Sequence, residues 1–131
     1  MNASERPIGV FDSGVGGLTV LHELLVALPG EDFVYLGDTA RFPYGEREPA
    51  ELERFSVELA EELLGRGAKL LVVACNAATS AALPALRARM LETTLGVDVL
   101  GVVTPEALRA VAATRSGRIG LLATPTTVAS G

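Results

Sequence analysis

Tryptophan is absent from the 131 residues, and cysteine, lysine and histidine each occur once, as Cys75, Lys69 and His22. A lone cysteine excludes an intrachain disulfide and any structural zinc site built on several thiolates, and it fits a reducing compartment such as the cytoplasm. Lys69 opens an apolar run that Cys75 closes. On one strand, six residues at about 3.3 Å each would hold them roughly 20 Å apart, which excludes a pyridoxal phosphate Schiff base at that cysteine. Cations are scarce overall, with 11 Lys and Arg against 16 Asp and Glu for a net charge of −5. That balance argues against the clustered basic surface that nucleic acid or an anionic membrane would need. The longest uncharged stretch, Leu70 to Leu86, is broken by Asn76, Thr79, Ser80 and Pro84. It reads as a buried strand running into a helix, not as a membrane span. Met1 to Arg6 carries Glu5 and Arg6 and leads into no long apolar run, so no ordinary secretory signal is expected there.

Apolar residues make up 49% of the chain, enough for a sizeable core in roughly one domain of length. Five short runs rich in Val, Leu and Ile are expected as strands: Ile8 to Phe11, Asp32 to Leu36, Leu70 to Ala74, Val97 to Val103 and Arg118 to Ala123. Segments with helical spacing follow the first four. This alternation predicts an α/β fold, a parallel sheet with crossover helices. The first helix should run from about Gly17 to Leu28, with Leu18, Leu21, Leu25 and Leu28 on one face and His22 at its flank. The second should run from about Pro49 to Leu64, burying Leu52, Phe55, Leu59 and Leu63 beneath a solvated acidic face. A third follows Cys75 and either begins just before Pro84 or kinks there. The fourth should open at Thr104 as N-cap with Pro105 next. A fifth crossover is expected after Thr124 and Pro125, so the chain reads as the front part of something longer.

In a parallel sheet the residues just past the strand ends converge on one edge, where such folds place ligand sites. Three polar clusters fall there: Asp12-Ser13-Gly14-Val15-Gly16-Gly17, Gly37-Asp38-Thr39 with Pro43-Tyr44-Gly45 behind it, and Cys75-Asn76-Ala77-Ala78-Thr79. Thr104 and Thr124 stand in the same relation to the last two runs. The glycine cluster lacks the third glycine of a dinucleotide fingerprint and the GK[ST] of a P-loop, although its amides suit a carboxylate equally well. Its glycines also serve a tight turn. Cys75, at a strand end and near a helix start, sits where amides and the positive helix end stabilise an anion. A buried cysteine is as easily a small apolar filler. Asp12 and Asp38 are each candidates for a cap or a turn former. No cluster has metal-ligand spacing, so no metal is expected.

FDSGVGGLTVL, YLGDTARFPYG and VVACNAATSAAL, in that order and each at a strand end, together resemble the glutamate racemases. The similarity continues through GVVTP and IGLLATPTTVASG. It implies a cofactor-independent isomerase that interconverts L- and D-glutamate for peptidoglycan synthesis, in the cytoplasm, often as a homodimer. Two cysteines would act on opposite faces of the substrate Cα, with Cys75 the first. On the same match, Asp12 and Ser13 would bind the amino acid, Asp12 also assisting proton movement at Cys75. Tyr44 and Gly45 would hold a carboxylate, and Asn76, Ala77 and Thr79 would contact the backbone end.

The resemblance further implies two α/β domains, with residues 1–96 the opening half of the first and residues 97–131 the start of the second. Two departures stand out. Ala77 occupies a position where the family commonly has Thr, and a second Gly-Cys-Thr-His segment is absent. The rival readings are an aspartate-type racemase of the same two-cysteine group, and a noncatalytic α/β module that binds a small acid.

Overall fold

A computed structural model describes residues 5–93 and 96–131; most of the segment Met1 to Arg6, expected to carry no secretory signal, lies outside them. The elements follow in the order β1 (Ile8–Asp12), α1 (Leu18–Ala27), β2 (Phe33–Gly37), α2 (Pro49–Gly65), β3 (Leu70–Val73), α3 (Asn76–Glu92), β4 (Asp98–Gly101), α4 (Val103–Ala113) and α5 (Pro125–Ala129). The four strands form one parallel sheet in the order β2-β1-β3-β4, with Val10 opposite both Tyr35 and Val72. Parallel strands buried on both faces need apolar side chains at successive positions. IGVFD and LLVV supply them: every residue of β1 is buried, as are three of the four in β3.

Strand alternation divides the core between the two faces. Phe11, Leu71 and Val73 meet Leu52, Phe55, Leu59 and Leu63 of α2 and Ala78, Ala82 and Leu86 of α3. Ile8, Val10, Val72 and Ala74 face the other way, toward Val20, Leu21 and Leu24 of α1. The first of these layers is as the spacing predicted. On α1 the predicted stripe is only partly used. Leu21 packs inward, but Leu18, Leu25 and Leu28 are 47%, 48% and 42% exposed, and Val20 and Leu24 take their place. A groove of about 1100 Å³ opens between α1 and α4, with Leu24, Val72 and Leu100 among its apolar walls and His22, exposed, on its rim.

The acidic outer face of α2 is laced with arginines, Arg66 to Glu62 at 2.8 Å and Arg89 of α3 to Glu61 at 2.9 Å; such exposed pairs stabilise by well under a hydrogen bond's worth each. Lys69 precedes β3 at its amino end, paired with Glu31, while Cys75 follows the carboxyl end, as the lysine argument requires.

Four expectations are corrected. Arg118 to Ala123 forms no strand: among the described residues no ladder partner lies beside it, and Leu121 and Leu122 are 74% and 101% exposed. Apolar β-branched runs make strands only where a neighbour supplies the other half of the hydrogen bonds. The fourth strand ends at Gly101, because the chain already turns into α4 at Val103. Thr104 is inside α4 and does not cap it; Val102 holds the cap position without a side-chain bond. Finally, of the two alternatives for the third helix, a start just before Pro84 is overturned: α3 starts at Asn76 and runs through Pro84, its other contacts outweighing the one backbone bond proline removes. β4, assigned by the resemblance to a second domain, is paired to β3 in the single sheet.

Leu71 is fully buried and Leu122 fully exposed. Leu71→Ala should lower unfolding free energy by about 2–5 kcal/mol, and Leu122→Ala by no more than about 0.5 kcal/mol, in urea titrations of the two variants. Equal losses would place the 118–123 segment in the core after all.

Candidate active site

Two backbone hydrogen bonds extend the sheet past its regular ladder and bring the three polar turns together. Asp38 N donates to Asp12 O at 2.9 Å on one side of β1, and Ala74 N donates to Phe11 O at 2.8 Å on the other. The turns after β1, β2 and β3 thereby wall a cavity of about 480 Å³, with Asp12, Ser13, Tyr44, Gly45, Cys75, Asn76 and Ala77 all at its surface.

Cys75 is extended backbone at the N-cap of α3, and its Sγ accepts from Ala78 N at 3.4 Å in place of a hydroxyl or carboxylate cap. The thiol also donates to Ser13 Oγ at 3.5 Å. At 8% exposure it is nearly closed from bulk solvent but opens on the cavity. Asp12 is the organiser of the first turn. Its Oδ1 accepts from Ser13 N at 2.7 Å and Ser13 Oγ at 3.3 Å, and its Oδ2 accepts from Gly17 N at 2.7 Å and Tyr35 Oη at 3.4 Å. Such amide donors are the strongest neutral partners a carboxylate finds. Gly17 is needed for this approach, since a Cβ there would fall 2.8 Å from Asp12 Cβ and 2.9 Å from Ala74 Cβ.

The loop after β2 is anchored from within. The Tyr44 ring is 1% exposed, lies 5.6 Å from the Phe55 ring, and donates its hydroxyl to Asp38 Oδ2. Arg41 bonds the same carboxylate at 2.5 Å and stacks its guanidinium 4.2 Å from the centre of Phe55. Asp38 is thus a structural anchor, and the Tyr44 phenol is already engaged; what Tyr44 and Gly45 turn to the cavity is backbone. Thr126 Oγ1 of α5 donates to Gly45 O at 3.0 Å, and Thr124 packs so closely that a Cβ on Gly45 would meet its Cγ2 at 2.5 Å.

The remaining residues divide. Ala77 is buried at the cavity wall, and Asn76 is exposed there, its Nδ2 donating to Glu106 Oε2 at 3.1 Å. Thr79 does not line the cavity: its hydroxyl donates to Val73 O at 3.2 Å and accepts from Val102 N at 3.4 Å, tying α3 to the ends of β3 and β4. Tyr35, Glu46 and Glu106 were not singled out from the sequence. Tyr35 looked like one more strand residue, and Glu106 like the acidic first turn of a helix. Thr124 also lines the cavity, as the N-cap of α5 and not at the end of a strand.

No Lys, Arg or His lines this cavity, whereas Asp12, Glu46 and Glu106 do. An anionic ligand would therefore be held by uncharged donors: backbone amides, hydroxyls and the Asn76 amide. Among the described residues no group of three or more His, Cys, Asp or Glu is arranged to hold a metal ion. No helix among them is long and apolar enough to cross a membrane.

The carboxyl edge of a parallel α/β sheet, here with a capping cysteine and a converging carboxylate, is where such folds place small-molecule sites. Over nearly its whole length the chain is similar to the glutamate racemases. Glutamate racemase from Geobacter metallireducens is 54% identical over 125 residues, which are 95% of this chain and 44% of that protein. The structure of the Aquifex pyrophilus glutamate racemase matches with a TM-score of 0.88 at 45% identity, over 95% of this chain and 48% of its own. That from Thermus thermophilus, solved in complex with β-chloro-D-alanine, matches with a TM-score of 0.83 at 52% identity, over 98% and 47%. No protein-family model matches the chain. The chain spans a little under half the length of the relatives it matches.

Both tyrosines of the chain border this region. Burial first, then the charge and hydrogen bond of Asp12, push Tyr35 up to about 12; burial and the Asp38 hydrogen bond raise Tyr44 as well. Folding therefore favours both neutral phenols. A pKa raised in the folded state contributes stability that is full below the unfolded value of about 10 and is lost as pH climbs through the folded value. The ultraviolet titration of the native chain should show no tyrosinate at about pH 10, and its denaturation midpoint should fall between about pH 10 and about pH 12. Tyrosinate forming at its ordinary pH would contradict both hydrogen bonds.

Proposed function

We propose that the chain supplies one half of a cofactor-independent glutamate racemase site, the half in which Cys75 exchanges a proton with one face of the substrate Cα. The observation that carries this reading is the shared cavity: the Cys75 thiol, 3.5 Å from Ser13 Oγ, opens on the same space as Asp12 and the Tyr44–Gly45 backbone, in a chain about half identical to glutamate racemases.

The chemistry follows from the groups. A Cα–H is weakly acidic, so its removal needs a base held in contact and donors aimed at the charge that develops on the carboxylate. Cys75, fixed by the α3 amide and by Ser13, would be the base. Asp12 and Ser13 would receive the ammonium end, with Asp12 held rigid by the Gly17 and Ser13 amides. Tyr44 and Gly45 would offer backbone donors to a carboxylate, and Asn76 and Ala77 would meet the backbone end of the amino acid. Ala77 can offer only its backbone there. Thr79, its hydroxyl engaged with Val73 and Val102, would act by holding α3 in place. Inversion also requires a proton donor on the opposite face, which a second domain would bring; the sheet favours opening that domain after Gly101. The reading carries with it D-glutamate supply for peptidoglycan, a cytoplasmic location suited to a reduced thiol, and a homodimeric assembly.

Two measurements test it. The 131-residue chain by itself should leave L-glutamate optically unchanged, since Cys75 is its only cysteine; racemisation at an ordinary enzyme rate, followed by circular dichroism, would refute the one-sided assignment. Alkylation of Cys75 by iodoacetamide should slow in proportion to added glutamate, and not with lysine. A rate indifferent to glutamate would favour a structural cysteine.

A further inference from the structure

The cavity sets a problem for any dicarboxylic amino acid. Its walls carry three carboxylates and no cation, so each ligand carboxylate must be satisfied by neutral donors. One of those donors is the Asn76 side-chain amide, and one of its two N–H groups is already engaged: Glu106, from the first turn of α4, accepts from Asn76 Nδ2 at 3.1 Å. Glu106 is exposed, on a short stretch of chain that also borders the apolar groove between α1 and α4.

We propose that Glu106 is a built-in competitor for the substrate, a protein carboxylate that in the empty site holds one N–H of the Asn76 amide and sets a like charge beside the donor that a ligand carboxylate would use. The inference rests on the reading of this cavity as a glutamate site. It assigns Glu106 a part in specificity and affinity, acting through Asn76 and not on the reacting atoms. Two physical effects point the same way. A carboxylate that accepts one N–H fixes the amide's orientation, so a second carboxylate must either share the amide with a like charge beside it or displace that charge-assisted bond. A fixed negative charge at the rim also opposes entry of a ligand with net negative charge in a cavity that offers no cation to offset it. The ordinary structural account, an acid favoured at the positive end of a helix, predicts only a stability effect and none on ligand affinity.

The test is isothermal titration calorimetry of the chain with D- and L-glutamate, comparing wild type with E106A and E106Q. Alanine is a strong helix former at an exposed first-turn position, so folding should survive; E106Q, which keeps the shape and an acceptor oxygen, serves if it does not. E106A should bind glutamate about tenfold more tightly, the size of one freed hydrogen bond to a charged group in a partly solvated site, and E106Q should fall between it and wild type. Isoglutamine, whose α-carboxylate is an amide, should gain less. E46A, which removes another carboxylate from the same cavity, should gain less than E106A. Unchanged or weaker glutamate binding by E106A overturns the inference while leaving the site reading intact, and weaker binding would make Glu106 an ammonium acceptor. No glutamate binding by wild type or any variant overturns the site reading itself, and the inference with it.

Discussion

The two hydrogen bonds that carry the sheet beyond β1, from Asp38 N to Asp12 O and from Ala74 N to Phe11 O, are the constraint on which the rest depends. A parallel ladder that stopped at the end of each strand would let its three following turns splay according to their own loop preferences. One further bond on either side of β1 fixes the backbone of Asp12 between its neighbours and leaves each turn only one direction to leave in. Cys75 then has to enter α3 immediately, and its Sγ becomes the acceptor that the helix start lacks. The position of the thiol is therefore a consequence of backbone geometry first and of its own contacts second.

The same constraint explains which side chains are available for chemistry and which are not. Asp12 accepts from two amides, a hydroxyl and a phenol, which makes it a rigid acceptor with little freedom to swing. Tyr44 anchors its loop by burying its ring and bonding Asp38, so the loop meets the cavity through peptide groups. Backbone donors lose no rotamer entropy when they bind, unlike long cationic side chains. A cavity walled by turns therefore presents peptide groups and short polar side chains where other sites present lysine or arginine.

Much of this was legible in the sequence because the signals were local. Short apolar runs, Ile8 to Phe11 and Leu70 to Ala74, marked β1 and β3, Pro49 and the Leu52-Phe55-Leu59-Leu63 stripe marked α2, and the rule that parallel strands end on a common edge gathered Asp12, Tyr44 and Cys75. What escaped depends on neighbours distant in the chain. Arg118 to Ala123 has strand composition but no strand beside it. Leu18, Leu25 and Leu28 share a helical face that the sheet does not cover, while Val20 and Leu24 do the packing. Thr79 resembled a site residue by its place in the motif, and its hydroxyl bridges two strand ends instead. Tyr35 reaches the Asp12 carboxylate, and Glu106 the cavity, only because β2 flanks β1 and α4 follows β4, facts of sheet order that no local pattern states.

One feature of the packing bears on how a site of this kind could be completed. The α1 face of the sheet is covered by a single helix, with Val72 and Leu100 lining the groove beside it, whereas the opposite face carries both α2 and α3. Asp12 and Cys75 lie where β1 and β3 emerge between these unequal layers. Glu106 touches both the cavity and the groove, so any structure that covers the groove must pass the residue that holds Asn76. Burial of that carboxylate against an apolar neighbour would be costly unless it kept its amide partner. The Asn76–Glu106 hydrogen bond thus stands at the wall that the groove and the cavity share.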